Sequence, residues 1–180
     1  MLPSNHSEHS PLDDPARRRL PVLLRRSWFS LNQSFRRRIA FTGVTPDQFT
    51  VLRTLMEADE RGLTQRKIAE IISSDPNTIA SLLERMESSG LVKRQKHESD
   101  RRAHRIVVLP HGKKVYTQIR EVALDLQSEI LANLPEAQRE LFLENLARVA
   151  DACHQSAAEC SRGRARGNSK ESKSSTVKAK

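Results

Sequence analysis

Between Thr45 and Val108 the apolar pattern changes period once, from helical to alternating, and that change restricts the fold more than any other feature of the chain. Thr45-Pro46-Asp47-Gln48 reads as a helix start, with Thr45 as cap, Pro46 in the first turn and Gln48 closing a capping box. The helix that follows turns Phe49, Leu52 and Leu55-Met56 inward and ends near Ala58. Thr64 starts a short helix with Ile68, Ala69 and Ile72 on one face. Asp75-Pro76 starts another, from about 76 to 89, with Ile79, Leu82, Leu83 and Met86 at i, i+3, i+4 and i+7 and Gly90 as its stop. Leu91 to Gln95 and His104 to Val108 then alternate as two short strands around a charged turn. A helix-turn-helix followed at once by a hairpin is a winged lobe. Helices flank it. One runs from about 16 to 40 on Leu20, Leu23, Leu24, Trp28, Leu31, Phe35 and Ile39, and Gly43 closes it. Another begins at Pro110 on Val115, Ile119, Val122, Leu126, Ile130 and Leu134, and a last one spans about 136–155 with Leu141, Leu146, Val149 and Ala150. The expected fold is mainly α with a small β-hairpin wing, a winged helix-turn-helix lobe (about 45–109) plus a helical dimerisation region (about 16–40 and 110–155). No tandem repeat is present.

Composition supports a partner-completed core. Only 4% of the 180 residues are aromatic, so the apolar faces of the flanking helices outrun what one small lobe covers. Two cysteines, Cys153 and Cys160, exclude a disulfide-stapled fold. On one helix they lie about 10 Å apart along the axis, too far for an intrachain bond. A cross-dimer disulfide and inert thiols both stay open. No apolar run reaches the ~20 residues that span a bilayer, and the N-terminus lacks a signal-peptide pattern. The expectation is a cytoplasmic, nucleoid-associated protein with no membrane partner. Enzyme chemistry finds no footing: there is no Gly-rich phosphate loop, no His-Glu-x-x-His and no nucleophile elbow. His97, His104 and His111 recur at sevens around a hairpin, without ligand geometry, so neither metal nor cofactor is expected.

The net charge of +9 is concentrated at the end. Residues 161–180 hold seven Lys or Arg against Glu171 in a Ser- and Gly-rich stretch, expected to be disordered. It reads equally as a solvated tail or as an arm making non-specific phosphate contacts. The domain division is thus a loose arm over 1–14, a folded unit over 15–156 and a basic tail over 157–180. Inside the folded unit, Asn77, Thr78, Ser81 and Arg85 lie away from the apolar face of their helix. They suit base edges and phosphates in a major groove, beside free N–H groups at the helix start. Such a face alone is more often simply solvated. The hairpin shifts the balance, because Lys93, Arg94, Lys96, Arg101, Arg102 and Arg105, against Glu98 and Asp100, suit a minor groove alongside.

Thr45-Pro46-Asp47-Gln48-Phe49, Leu63-Thr64-Gln65, Ile68-Ala69, Asp75-Pro76-Asn77-Thr78-Ile79, Leu82, Arg85-Met86-Glu87, Gly90-Leu91-Val92 and Ser99-Asp100-Arg101-Arg102, in this order, resemble the MarR family of bacterial winged helix-turn-helix regulators. The resemblance covers about 20–150. It implies a homodimer with interlocked terminal helices, bound to a palindromic operator and usually acting as a repressor. It implies that Arg102 enters the minor groove while Asp100 holds it in position. It also implies a small-molecule pocket between the dimer helices and the lobe, for which Trp28, Phe29, Phe35 and Phe49 are candidates, with core packing as the plainer role of each. Ser81 stands where members often have Arg or Lys, and Leu109-Pro110 where many have a Thr cap. The leading expectation is a ligand- or signal-responsive regulator with double-stranded DNA as partner. Its alternatives are a constitutive architectural DNA-binding protein and a winged module that docks proteins.

Overall fold

The computed structural model describes residues 19–96 and 104–174, with side chains through Glu159. The chain divides into two compact units, Met1–Leu126 and Gln127–Lys180. In the first, α1 (Leu20–Arg38) has Pro21 in its first turn, and a 3-10 turn (Ala40–Thr42) leads to Gly43 in the left-handed region. α2 (Pro46–Met56) forms the expected capping box, in which Gln48 N donates to Thr45 Oγ1 and Thr45 N to Gln48 Oε1. α3 (Gln65–Ile71) is capped by Thr64, and α4 (Pro76–Ser88) by Asp75. β2 (Val92–Lys96) and β3 (His104–Val108) form the hairpin, and α5 (Pro110–Leu131) follows. The sequence reading missed a strand. β1 (Leu63–Thr64) adds to the outer side of β3, giving an antiparallel sheet in the order β1-β3-β2. Two residues carry too little alternation to be seen as a strand; only pairing of Leu63 with Ile106 and of Thr64 with Arg105 makes them one.

The core of this unit gathers Ile39, Val51, Leu52, Ile68, Ile79, Leu83, Met86, Val92, Ile106 and Ile119, all essentially out of solvent. These are the positions that the 3.6-residue and two-residue periods place inward. Met56, expected inward, is exposed because the helix ends there. Around it, the 59–62 loop is fixed by charge and by backbone. Asp59 Oδ1 accepts from Arg61 N at 2.8 Å and Arg61 Nε at 3.1 Å, while Oδ2 accepts from Arg61 Nη2 at 3.0 Å. Gly62 has φ +76, and a Cβ there would overlap the Ile106 carbonyl on β3. Those hydrogen bonds from Arg61 lower the Asp59 pKa from 3.8 to about 2. A depressed carboxyl contributes stability that is present above pH 3.8 and is lost as pH falls toward about 2. Asp59→Asn therefore flattens the stability profile between those values; a variant whose acid limb matches the parent's would refute this role.

In the second unit, the end of α5 turns at Ala132–Pro135, where Leu134 N donates to Leu131 O, and α6 (Glu136–Ser174) follows. This helix continues past residue 156, where the sequence reading ends the folded unit. Residues 157–174 contain no proline, so no hydrogen bond of the ladder is lost, and the weak helix formers Gly163, Gly167 and Asn168 are carried within the helix. Leu141, Phe142 and Leu146 are exposed on it. Among the described residues no helix is long and apolar enough to cross a membrane.

Candidate nucleic-acid interface

The candidate interface is built on α4 and the hairpin. Ile79, Leu82, Leu83 and Met86 bury one side of α4, which leaves Asn77, Thr78, Ser81 and Arg85 exposed on the rest of its surface. The start of α4 is held from two directions. Asp75 Oδ1 accepts from Asn77 N at 2.8 Å and Thr78 N at 3.1 Å, and Gln65 Nε2 on α3 donates to the Pro76 carbonyl at 3.2 Å. The turn between α3 and α4 places Ser73 at φ 53, a conformation that side-chain-bearing residues avoid. One expectation changes here. Pro76 has no N–H, Asp75 takes the next two, and Ile79 N already donates to Asp75 O, so this terminus does not offer free N–H groups. The exposed face therefore works through side chains: an amide and two hydroxyls that donate and accept, and the Arg85 guanidinium, whose Nε donates to Ser81 O at 3.3 Å.

On the hairpin the cations divide. Lys93 is exposed. Arg94 shares a strand face with the buried Val92, and that alternation turns it toward α4. There Glu87 Oε1 accepts from Arg94 N at 2.9 Å and Oε2 from Arg94 Nη1 at 2.8 Å, with both side chains about one-third exposed. Arg105 lies between the outer strands, its Nη1 donating to the Gly62 carbonyl at 3.0 Å and its Nε buried without a partner among the described residues. Arg94 and Arg105 thus tie the hairpin to α4 and to the 59–62 loop. Sequence reasoning counted them as free positive charge because neither Glu87 nor Gly62 is linked to them by any local period. Asp100, Arg101 and Arg102 lie outside the described residues.

The four aromatic candidates are not brought together. Phe49 is buried, edge-on to Phe35 at 5.3 Å and stacked on Tyr116 at 5.7 Å, so these rings form an internal aromatic column. Tyr116 was not singled out by sequence, since its helix shows only a weak aromatic signal. Trp28 and Phe29, 63% and 60% exposed, instead lie with Asn32, Gln33 and Arg36 on one open face of α1. Cys153 is exposed on α6. Among the described residues no His, Cys, Asp and Glu cluster could hold a metal.

A capped helix with an exposed polar face, placed second in a helix-turn-helix and braced to a following hairpin, defines a winged helix-turn-helix protein. Residues 44–104 match the MarR family. The transcriptional regulator HosA of Escherichia coli O127:H6 is 28% identical over 128 residues, covering 68% of this chain and 93% of HosA. A putative transcriptional regulatory protein for the hcr operon of Thauera aromatica is 28% identical over 127 residues, 70% of this chain and 75% of that protein. Among solved structures, the MepR–DNA complex of S. aureus aligns with a TM-score of 0.70 at 21% identity, over 76% of this chain and 99% of MepR. The transcriptional repressor CouR bound to a 23-mer DNA duplex aligns with a TM-score of 0.67 at 26% identity, over 73% and 92% of the two chains. Residues 44–104 therefore carry a MarR-family winged helix-turn-helix domain, and the relatives that the chain resembles over most of their length are transcriptional regulators.

Proposed function

We propose that the protein is a homodimeric repressor that binds a palindromic operator and releases it in response to a small-molecule effector. The observation that carries this reading is the exposed row Asn77, Thr78, Ser81 and Arg85 on a helix whose start is fixed by Asp75 and Gln65. Side chains on a rigid helix hold their geometry against base edges, which is what sequence readout requires. DNA-bound MepR and CouR share the fold, and CouR is a repressor. Exposed Leu20, Val22, Trp28 and Phe29 on α1, and separately Leu141 and Phe142 on α6, are apolar surface that a second copy covers. Two such copies present their α4 helices to half-sites about one helical turn apart. An effector favouring another spacing weakens binding by population shift. On this reading the protein acts in the cytoplasm, on nucleoid DNA. Binding to a palindrome upstream of its own gene, compared with scrambled DNA at one salt concentration, tests the reading. Equal affinities would leave a non-specific architectural protein.

The wing arginine supplies a second test. Arg102→Ala is expected to weaken operator binding by about 1–3 kcal/mol while leaving thermal stability unchanged, and Asp100→Ala to do part of the same damage. Operator affinity equal to wild type in Arg102→Ala would remove the wing from the readout. The Lys- and Arg-rich end adds sequence-blind affinity. Deleting residues 161–180 lowers affinity for operator and random DNA by similar factors and flattens both salt slopes, by about 0.9 per lost phosphate contact. An unchanged slope would make this end a solvated tail only.

A further inference from the structure

α1 is purely basic, whereas residues 136–151 at the start of α6 carry four Asp or Glu against Arg139 and Arg148. α1 carries Arg25, Arg26, Arg36, Arg37 and Arg38 and not one Asp or Glu. Arg25, Arg26, Arg36 and Arg37 are exposed and make no ion pair among the described residues. From Gln127 to Glu159 the balance reverses, with six Asp or Glu against Arg139 and Arg148. At about 100° per residue, Glu136, Glu140, Glu144 and Asp151 fall within one quarter of the α6 circumference, forming an acidic row. Glu140, Glu144 and Asp151 are exposed, and they too make no ion pair among the described residues.

The spacings agree as well. Arg25 and Arg36 are eleven residues apart, as are Glu140 and Asp151. Eleven residues are three helical turns, about 16.5 Å, so two helices lying side by side pair both charges at once. The Arg25–Arg36 row shares its face of α1 with the exposed Trp28 and Phe29, and Leu141 is exposed on α6 near the acidic row. Both surfaces therefore combine exposed apolar area with charge, basic on α1 and mainly acidic on α6, where Arg148 lies between the row and Leu141, and such a composition gains affinity from burial and its choice of partner from charge.

We propose that α1 of one copy docks its Arg25–Arg36 row on the Glu140–Asp151 row of α6 in a second copy, so that charge selects the homodimer's partner. The inference rests on the homodimer reading and names the residues that hold it. Two-fold symmetry makes the contact twice, which gives a decisive exchange experiment. One variant carries Arg25→Glu and Arg36→Glu, the other Glu140→Arg and Asp151→Arg. Each alone places like charges in both contacts and is expected to homodimerise at least about tenfold more weakly than wild type in sedimentation. Mixed, they present opposite charges in both contacts and form a heterodimer of near wild-type affinity. All four residues are exposed, so circular dichroism should show unchanged helix content. If a reversed variant fails to fold, the milder Arg25→Gln with Arg36→Gln is expected to reduce the salt dependence of dimerisation.

Wild-type protein that is monomeric at micromolar concentration would overturn the homodimer reading and this one with it. Wild-type dimers whose charge-reversed variants dimerise equally well would overturn only the charge pairing. Variants weakened alone and not rescued on mixing would place the pairing within one chain. Variants that dimerise normally but lose affinity for all DNA would assign the α1 arginines to phosphate. Either of these last two results also overturns the proposal.

Discussion

Gly112→Ala is expected to lower stability by about 2 kcal/mol, against the direction that helix propensity alone dictates. In a helix interior alanine is worth about 1 kcal/mol more than glycine, so inspection of α5 by itself predicts a gain. The start of α5 is not free, however. Leu109 N donates to the Leu91 carbonyl at 2.9 Å, and a Cβ at Gly112 would overlap that same oxygen and press on Val108 Cγ1 at 2.9 Å. Backbone on one side and a strand residue on the other cannot yield as a flexible side chain does. Overpacking of this kind costs about 1–3 kcal/mol, and a shift of α5 that relieves it loosens the Leu109–Leu91 bond as well. Urea unfolding at fixed protein concentration measures the change. A variant as stable as the parent would mean that α5 does not approach the hairpin so closely.

Leu83→Ala carries the other large effect, a loss of about 2–5 kcal/mol. Leu83 is 1% exposed and sits among Ile68, Ile79, Met86 and Ile106 in the buried cluster, so truncation leaves a cavity lined by several elements at once. Two residues earlier on the same helix, Ser81 is exposed, and Ser81→Ala is expected to change stability by less than about 0.5 kcal/mol. DNA affinity should separate them in the opposite sense. Once allowance is made for its unfolded fraction, Leu83→Ala binds through an intact polar face, whereas Ser81→Ala has lost a hydroxyl from that face. Comparable destabilisation by both substitutions would show that the two sides of α4 are not divided between core and nucleic acid in this way.

The sequence by itself determined every element that rests on a local rule. Thr45, Thr64 and Asp75 cap the three helices of the lobe because a short side-chain oxygen reaches an N–H two or three residues on, a contact decided within one turn. Ile79, Leu82, Leu83 and Met86 were recognisable as an inward face because helical period is a property of neighbours along the chain. The exposed row of Asn77, Thr78, Ser81 and Arg85 followed as its complement, and the order of these motifs carried the resemblance to the MarR domain matched at residues 44–104. What only the tertiary structure decided are the contacts between residues distant in sequence. β1 exists because Leu63 meets Ile106, forty-three positions away, and Arg105 is drawn inward by the Gly62 carbonyl at the same separation. Arg94 is spent on Glu87, Phe49 on Tyr116, and Gly112 is required by the Leu91 carbonyl. A cation looks the same in sequence whether it faces a phosphate or a carbonyl of its own chain. Its role is set by which backbone the fold brings within about 3 Å, and no local period encodes that distance.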